Sequence, residues 1–157
     1  MVSQEVEQVS TSPQDHRVVV GVDGSDTSKE ALKWAVAQAK ITGGVVEAII
    51  TWEFPVTGWS TGVVDGQFEE WAKQTLDESV EEAVGSRAGV EVSTSVQFGN
   101  AASVLIEASR GAELLVVGSR GHGGFTGALL GSVGQHCASH AECPVVIIRG
   151  KVPHTSE

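Results

Sequence analysis

Apolar positions along this chain follow two rhythms. Short unbroken apolar runs alternate with longer stretches in which apolar residues recur every three or four positions. The first run, Arg17-Val18-Val19-Val20-Gly21-Val22, closes on Asp23-Gly24-Ser25 and predicts a buried strand leading into a turn. Asp26 to Glu30 then offers capping residues and early acidic charge, and Ala31, Leu32, Ala35, Val36 and Ala39 repeat at helical spacing until Gly43-Gly44. Val45 to Trp52 predicts a second strand, broken by Phe54-Pro55, and a glycine-containing loop covers 57–66. Phe68, Ala72, Leu76, Val80 and Val84 mark one face of a long helix. Val90, Val92 and Val96 alternate with polar residues up to Phe98, the pattern of a half-exposed strand at a sheet edge. Asn100 caps a short helix around Leu105 and Ala108, and Glu113 to Gly118 is a fourth strand, apolar on both faces. A glycine-rich stretch, 119–131, leads into a helix from Ser132 to His140, and Pro144 to Ile148 closes as a fifth strand.

Strand and helix thus alternate five times, which predicts an α/β domain with a parallel sheet covered by helices on both faces. Right-handed crossovers restrict the topology to a few arrangements, and ligands in such sheets sit at the carboxyl ends of the strands, where strand order reverses. The first and fourth strands both end in glycine and polar residues, Asp23-Gly24-Ser25 and Gly118-Ser119-Arg120-Gly121. They are the natural pair to flank that crevice.

Composition narrows the function. The 157 residues suit one domain, with 1–15 read as a disordered polar leader, 16–150 as the domain and 151–157 as a loose tail. A formal net charge of −10 repels phosphate backbones and anionic headgroups, so neither nucleic acid nor membrane is an expected partner. It leaves room for a small phosphorylated ligand, because backbone amides hold phosphate without basic side chains. No apolar run approaches the ~18 residues of a spanning helix, and the polar leader lacks the apolar core of a secretory signal. Two cysteines give no disulfide framework, so a cytoplasmic setting is expected. The acidic residues Glu69, Glu70, Asp77, Glu78, Glu81 and Glu82 are read as a solvated helix face. His136, Cys137, His140 and Cys143 are weighed as metal ligands and read as small structural residues instead, because neither cysteine belongs to a C-x-x-C pair.

The chemistry concentrates in Gly118 to Ser132. Five glycines stand between Gly121 and Gly131 inclusive, linking a buried strand to a helix. Glycine lets a ligand approach main-chain N–H groups closely, and Gly131-Ser132 opens a helix whose free N–H groups and dipole favour an anion. An ordinary surface loop also uses glycine, and Ser132 could serve as a helix cap alone. Asp23 could likewise only cap its turn. The Walker-type Gly-Lys-Ser/Thr is missing, and no dinucleotide-type G-x-G-x-x-G follows the first strand.

The spacing Gly118-x2-Gly121-x9-Gly131-Ser132 resembles the nucleotide signature of universal stress proteins. Val19 to Ser25 resembles that family's opening strand, Ala31-Leu32-Lys33-Trp34-Ala35 its first helix and Cys143 to Ile148 its last strand. The resemblance spans roughly Arg17 to Gly150. It implies a doubly wound five-stranded sheet of order 3-2-1-4-5, of the adenine-nucleotide alpha-hydrolase-like type, and a homodimer joined through the fifth strand. It further implies ATP, or AMP, ADP or cyclic AMP, as ligand, with Mg or Mn beside the phosphates. Gly21, Val22 and Asp23 would meet the adenosine half, and the Trp52 backbone would read the adenine edge. Gly118 and Gly121 would lie against ribose and first phosphate, and Gly131, Ser132 and Val133 would hold the outer phosphates. Arg120 and His122 occupy variable positions with phosphate in reach, although His122 equally suits an exposed loop. Gly134 departs from the pattern, because many members carry Ser or Thr there, which puts triphosphate affinity in question.

The expected function is an adenine-nucleotide-binding regulatory protein of the stress response, without dedicated catalysis. Two alternatives stay open: an enzyme of the same fold with slow ATP hydrolysis, and a nucleotide-independent adaptor. A pyrophosphatase-type enzyme would need an S-G-G-x-D-S loop after the first strand, which Gly21 to Ser25 does not supply.

Overall fold

Val18, Val19 and Val20 are completely buried and form the middle of the sheet. The computed structural model describes residues 12–54, 66–87, 89–120 and 130–150. In these, strands β1 (Arg17–Gly21), β2 (Val45–Trp52), β3 (Val92–Phe98), β4 (Leu114–Gly118) and β5 (Val145–Ile148) alternate with helices α1 (Asp26–Thr42), α2 (Gly66–Ala83), α3 (Ala101–Ala108) and α4 (Ser132–His140). The strand order is β3-β2-β1-β4-β5 and every pairing is parallel, as the sequence implies. Order reverses between β1 and β4, where Val19 pairs with Leu115 and Val20 with Val116.

The unbroken valine runs follow from burial on both sheet faces. Alternate residues of a strand point to opposite faces. Val18 and Val20 pack with Ala31, Leu32, Ala35, Ala72 and Leu76 of α1 and α2. Val19 packs the other way, with Leu105, Leu115, Val117 and Cys137. Each fully buried leucine contributes about 1.5–3 kcal/mol of transfer free energy. Strand β3 pairs with β2 alone, as an edge strand does, and none of its residues is fully buried; Ser93, Thr94 and Phe98 are exposed.

Helix ends obey local chemistry, shifted by a residue in one case. Ser25, rather than Asp26, caps α1, accepting from the Ser28 N–H at 3.3 Å. Gly43 closes the helix at φ 73°, which glycine adopts without a Cβ clash. Asn100 caps α3 as expected, accepting from the Ser103 N–H at 3.2 Å. Within the stretch read as leader, Pro13–His16 forms a 3-10 turn closed by a capping box between Ser12 and Asp15. Residues 1–11 and 151–157 lie outside the described residues.

Candidate functional crevice

At the carboxyl ends of β1 and β4 the chain departs into elements packed on opposite faces, and a cavity of about 610 Å³ opens between them. Its apolar wall is built from Ile49, Ile50, Leu105 and Val117, and its polar groups come from the segments after β1 and β4 and from the start of α4.

Asp23 lines this crevice. Its Oδ1 accepts from the Ser25 N–H at 2.9 Å and from the Ser25 hydroxyl, so the residue builds the turn into α1. No partner holds its second carboxylate oxygen among the described residues. The turn role and a ligand role are therefore compatible. Gly21 and Val22 also line the cavity, and the Val22 N–H is spent on the Ile49 carbonyl at 2.8 Å. A Cβ on Gly21 would stand 2.8 Å from a Leu105 methyl, so the absence of a side chain lets α3 close on β1.

The segment after β4 is held at both ends. The Ser119 N–H donates to the Ile148 carbonyl, and the Gly131 N–H donates to the Ser119 carbonyl, both at 2.8 Å. Gly118 fits against α1 so closely that a Cβ would meet Thr27 Oγ1 at 2.7 Å, which is a packing reason for glycine there. Thr27 in turn donates its hydroxyl to the Arg120 carbonyl at 2.5 Å. This fixes the Arg120 backbone at the crevice while its side chain stays exposed. Gly121 and His122 lie outside the described residues.

Gly131, not Ser132, is the N-cap of α4, with φ −69° and ψ 164° and no side-chain cap. Ser132 is the first helical residue, so the reading of its hydroxyl as a cap does not apply. The first bonded helical amide is Gln135, donating to the Gly131 carbonyl at 3.0 Å. The N–H groups of Ser132, Val133 and Gly134 therefore lack partners among the described residues, and all three residues line the cavity. Aligned peptide dipoles add a positive potential at this end. Gly134 is buried, and a Cβ there would stand 2.7 Å from a Leu130 methyl, so Leu130 occupies the space a Ser or Thr side chain would need.

Trp52 is not among the lining residues; the crevice reaches β2 only as far as Thr51. The Trp52 carbonyl accepts from the Gly99 N–H at 3.0 Å, and its ring makes edge contacts with Phe54 and Phe98. Residues that the sequence reading left out also line the cavity, among them Ser25, Ser28, Thr51, Leu105, Trp71, Leu130 and Gln135. Thr51, Leu105 and Trp71 come from β2, α3 and α2, brought in by tertiary packing, and carry no local signature.

No group of three metal-ligating side chains occurs among the described residues. Burial pushes the Cys137 thiol up to about 11 and also raises Cys143, partly offset by Arg17. Both cysteines are free. No helix among the described residues is long and apolar enough to cross a membrane.

The chain matches a family model described as "Universal stress protein family" over residues 16–149. A universal stress protein of Mycobacterium tuberculosis is 36% identical over 137 residues, covering 86% of this chain and 48% of the relative. The chain spans about half the length of the curated relatives it matches. A universal stress protein solved in complex with cAMP superposes with a TM-score of 0.66 at 26% identity, covering 90% of this chain and 98% of the other. The universal stress protein from Archaeoglobus fulgidus in complex with dAMP gives 0.60 at 25%, covering 85% and 97%.

Proposed function

The chain belongs to the universal stress protein family, and from that premise we propose that its crevice binds an adenine nucleotide, ATP first among the candidates, in a regulatory role in the stress response. One observation carries the reading: three amides at the start of α4, without partners among the described residues, belong to residues lining the same crevice as Asp23 and an apolar wall. Amides and dipole suit phosphate, the apolar wall suits a base, and the unengaged oxygen of Asp23 suits a ribose hydroxyl. Two relatives of this fold were solved with cAMP and dAMP.

In this arrangement Gly21, Val22 and Asp23 meet the adenosine half and Gly118 lies beside ribose and first phosphate. Gly131, Ser132 and Val133 hold the outer phosphates with Arg120 alongside. The adenine edge is read from the end of β2, by the backbone of Thr51 or Trp52. Asp23 is the only carboxylate lining the cavity among the described residues. A Mg or Mn ion would accordingly be held by the phosphates with Asp23 as its single carboxylate, a ligand set that Mg tolerates. Strand β5 has one neighbour in the sheet and four half-exposed apolar residues, which supports pairing with a second copy there.

A second reading has its own support. Leu130 over Gly134 removes the hydroxyl and the room that would serve an outer phosphate, which favours AMP or cyclic AMP over ATP. Calorimetric titration of the purified protein with ATP, ADP, AMP and cyclic AMP separates the two. The ATP reading expects the tightest binding from ATP with Mg present; the monophosphate reading expects AMP or cyclic AMP to match or exceed it. Failure of all four to bind would leave an adaptor without nucleotide.

A further inference from the structure

Four large apolar side chains are exposed among the described residues: Ile41, Phe54, Trp71 and Phe98. Scattered exposure of this kind is ordinary and by itself carries no meaning. Phe54 and Phe98 are engaged with each other and with Trp52, with ring centroids 5.5 Å apart for the Phe pair. Trp71 differs from the other three. It alone lines the crevice, it is 58% exposed, and among the described residues it pairs with no other aromatic ring.

Its place in the fold matters as much as its exposure. Trp71 sits in the second turn of α2, one residue before the buried Ala72 that anchors the helix to the sheet. It therefore joins the crevice from the β2 side, with Ile49, Ile50 and Thr51. The first amides of α4 enter from the β4 side. A nucleotide that directs its phosphates to α4 sends its base toward β2 and α2. An indole offers a large rigid π face at small cost in side-chain entropy, and a purine presents the matching face.

We propose that Trp71 stacks on the purine and closes the base end of the crevice, an inference that rests on the nucleotide reading above. Stacking of this kind favours a purine over a smaller pyrimidine through overlap area, while leaving the identity of the purine to backbone contacts. The residue thus holds the base in place and takes no part in phosphate binding.

The test is titration of ATP into wild type, Trp71→Ala and Trp71→Phe, with tryptophan emission followed alongside. Removing the ring should weaken binding by about 5- to 100-fold, and phenylalanine should restore most of it. Emission from wild type should be quenched by ATP, and the quenching should be largely lost in Trp71→Phe. The exposed position predicts the same thermal midpoint for all three. Alanine binding as tightly as wild type would overturn the stacking while leaving the nucleotide site intact. An equal loss in both variants without wild-type quenching would also overturn it. A wild type that ignores ATP, ADP, AMP and cyclic AMP would overturn the nucleotide reading and the stacking together.

Discussion

The two ends of the sheet carry similar polar groups and use them in opposite ways. At the amino ends of the strands, Arg17 reaches Glu47 with one guanidinium nitrogen and the carbonyls of Ala108 and Arg110, at 3.0 and 3.1 Å, with another. Beside it, the His16 ring is bonded to Glu113. These groups are consumed by one another. At the carboxyl ends, among the described residues, the amides of Ser132, Val133 and Gly134 and one oxygen of Asp23 have no partner. Yet no buried side-chain polar atom lacks a partner there or elsewhere in the described residues. The open groups line the crevice, where a ligand would find donors and an acceptor to engage. One end therefore holds the sheet together, and the other leaves its polar groups available.

That contrast predicts separable failures. The largest effect is expected from Ser132→Pro. Proline fits the first helical position, and Gly131 already has the extended backbone required before it. The change removes one amide and one hydroxyl from the crevice without breaking the helix. Nucleotide affinity should fall by about 100-fold or more, two charge-assisted bonds at about 1.5–3 kcal/mol each setting the scale, while the thermal midpoint stays near wild type. Unchanged affinity by calorimetry would remove α4 from the site.

Arg17→Ala should do the reverse. It strands the part-buried Glu47 and Ala108 carbonyl, and frees the exposed Arg110 carbonyl, and should cost about 2–3 kcal/mol of stability by denaturant titration. Affinity for nucleotide should stay within error, and a matching loss of binding would blur the distinction between the two ends.

A smaller effect comes from Cys137, on the buried face of α4 where it packs with Leu105 of α3 and with the sheet. Its folded pKa is raised to about 11, so between roughly 9 and 11 the unfolded chain has lost a proton the folded chain keeps. The contribution is fully present below pH 9 and is lost as pH rises through that window, at no more than about 1.4 kcal/mol per pH unit. Cys137→Ala should flatten this decline relative to wild type in unfolding measured from pH 8 to 11. An identical slope in both proteins would show that the thiol does not govern it.

Much of the fold was legible because burial on both faces writes itself as unbroken valine and isoleucine, and a single covered face as alternation. Val18 to Val20 is the first case; Val92 to Phe98 marks an edge strand correctly, although its burial does not follow the alternation residue by residue. The 3-10 turn at Pro13 was not, because a Ser- and Gln-rich composition masks one local capping box. In the crevice, Asp23, Gly118, Arg120 and Gly131 to Val133 carried a signal, since turn and helix-start chemistry is local in sequence. Trp71, Leu105 and Thr51 did not, because each looks like ordinary helix or strand until the topology brings it to the crevice. Trp52 was read for its backbone alone; the lining on β2 runs from Ile49 to Thr51 and stops one residue short of it.

The central claim is that the crevice holds an adenine nucleotide. Denaturing the freshly purified protein and identifying any released small molecule by mass spectrometry, beside the Ser132→Pro variant, tests it most directly. The account predicts an adenine nucleotide recovered from wild type and lost from the variant. An empty wild type that also fails to take up added ATP, ADP, AMP or cyclic AMP would contradict it.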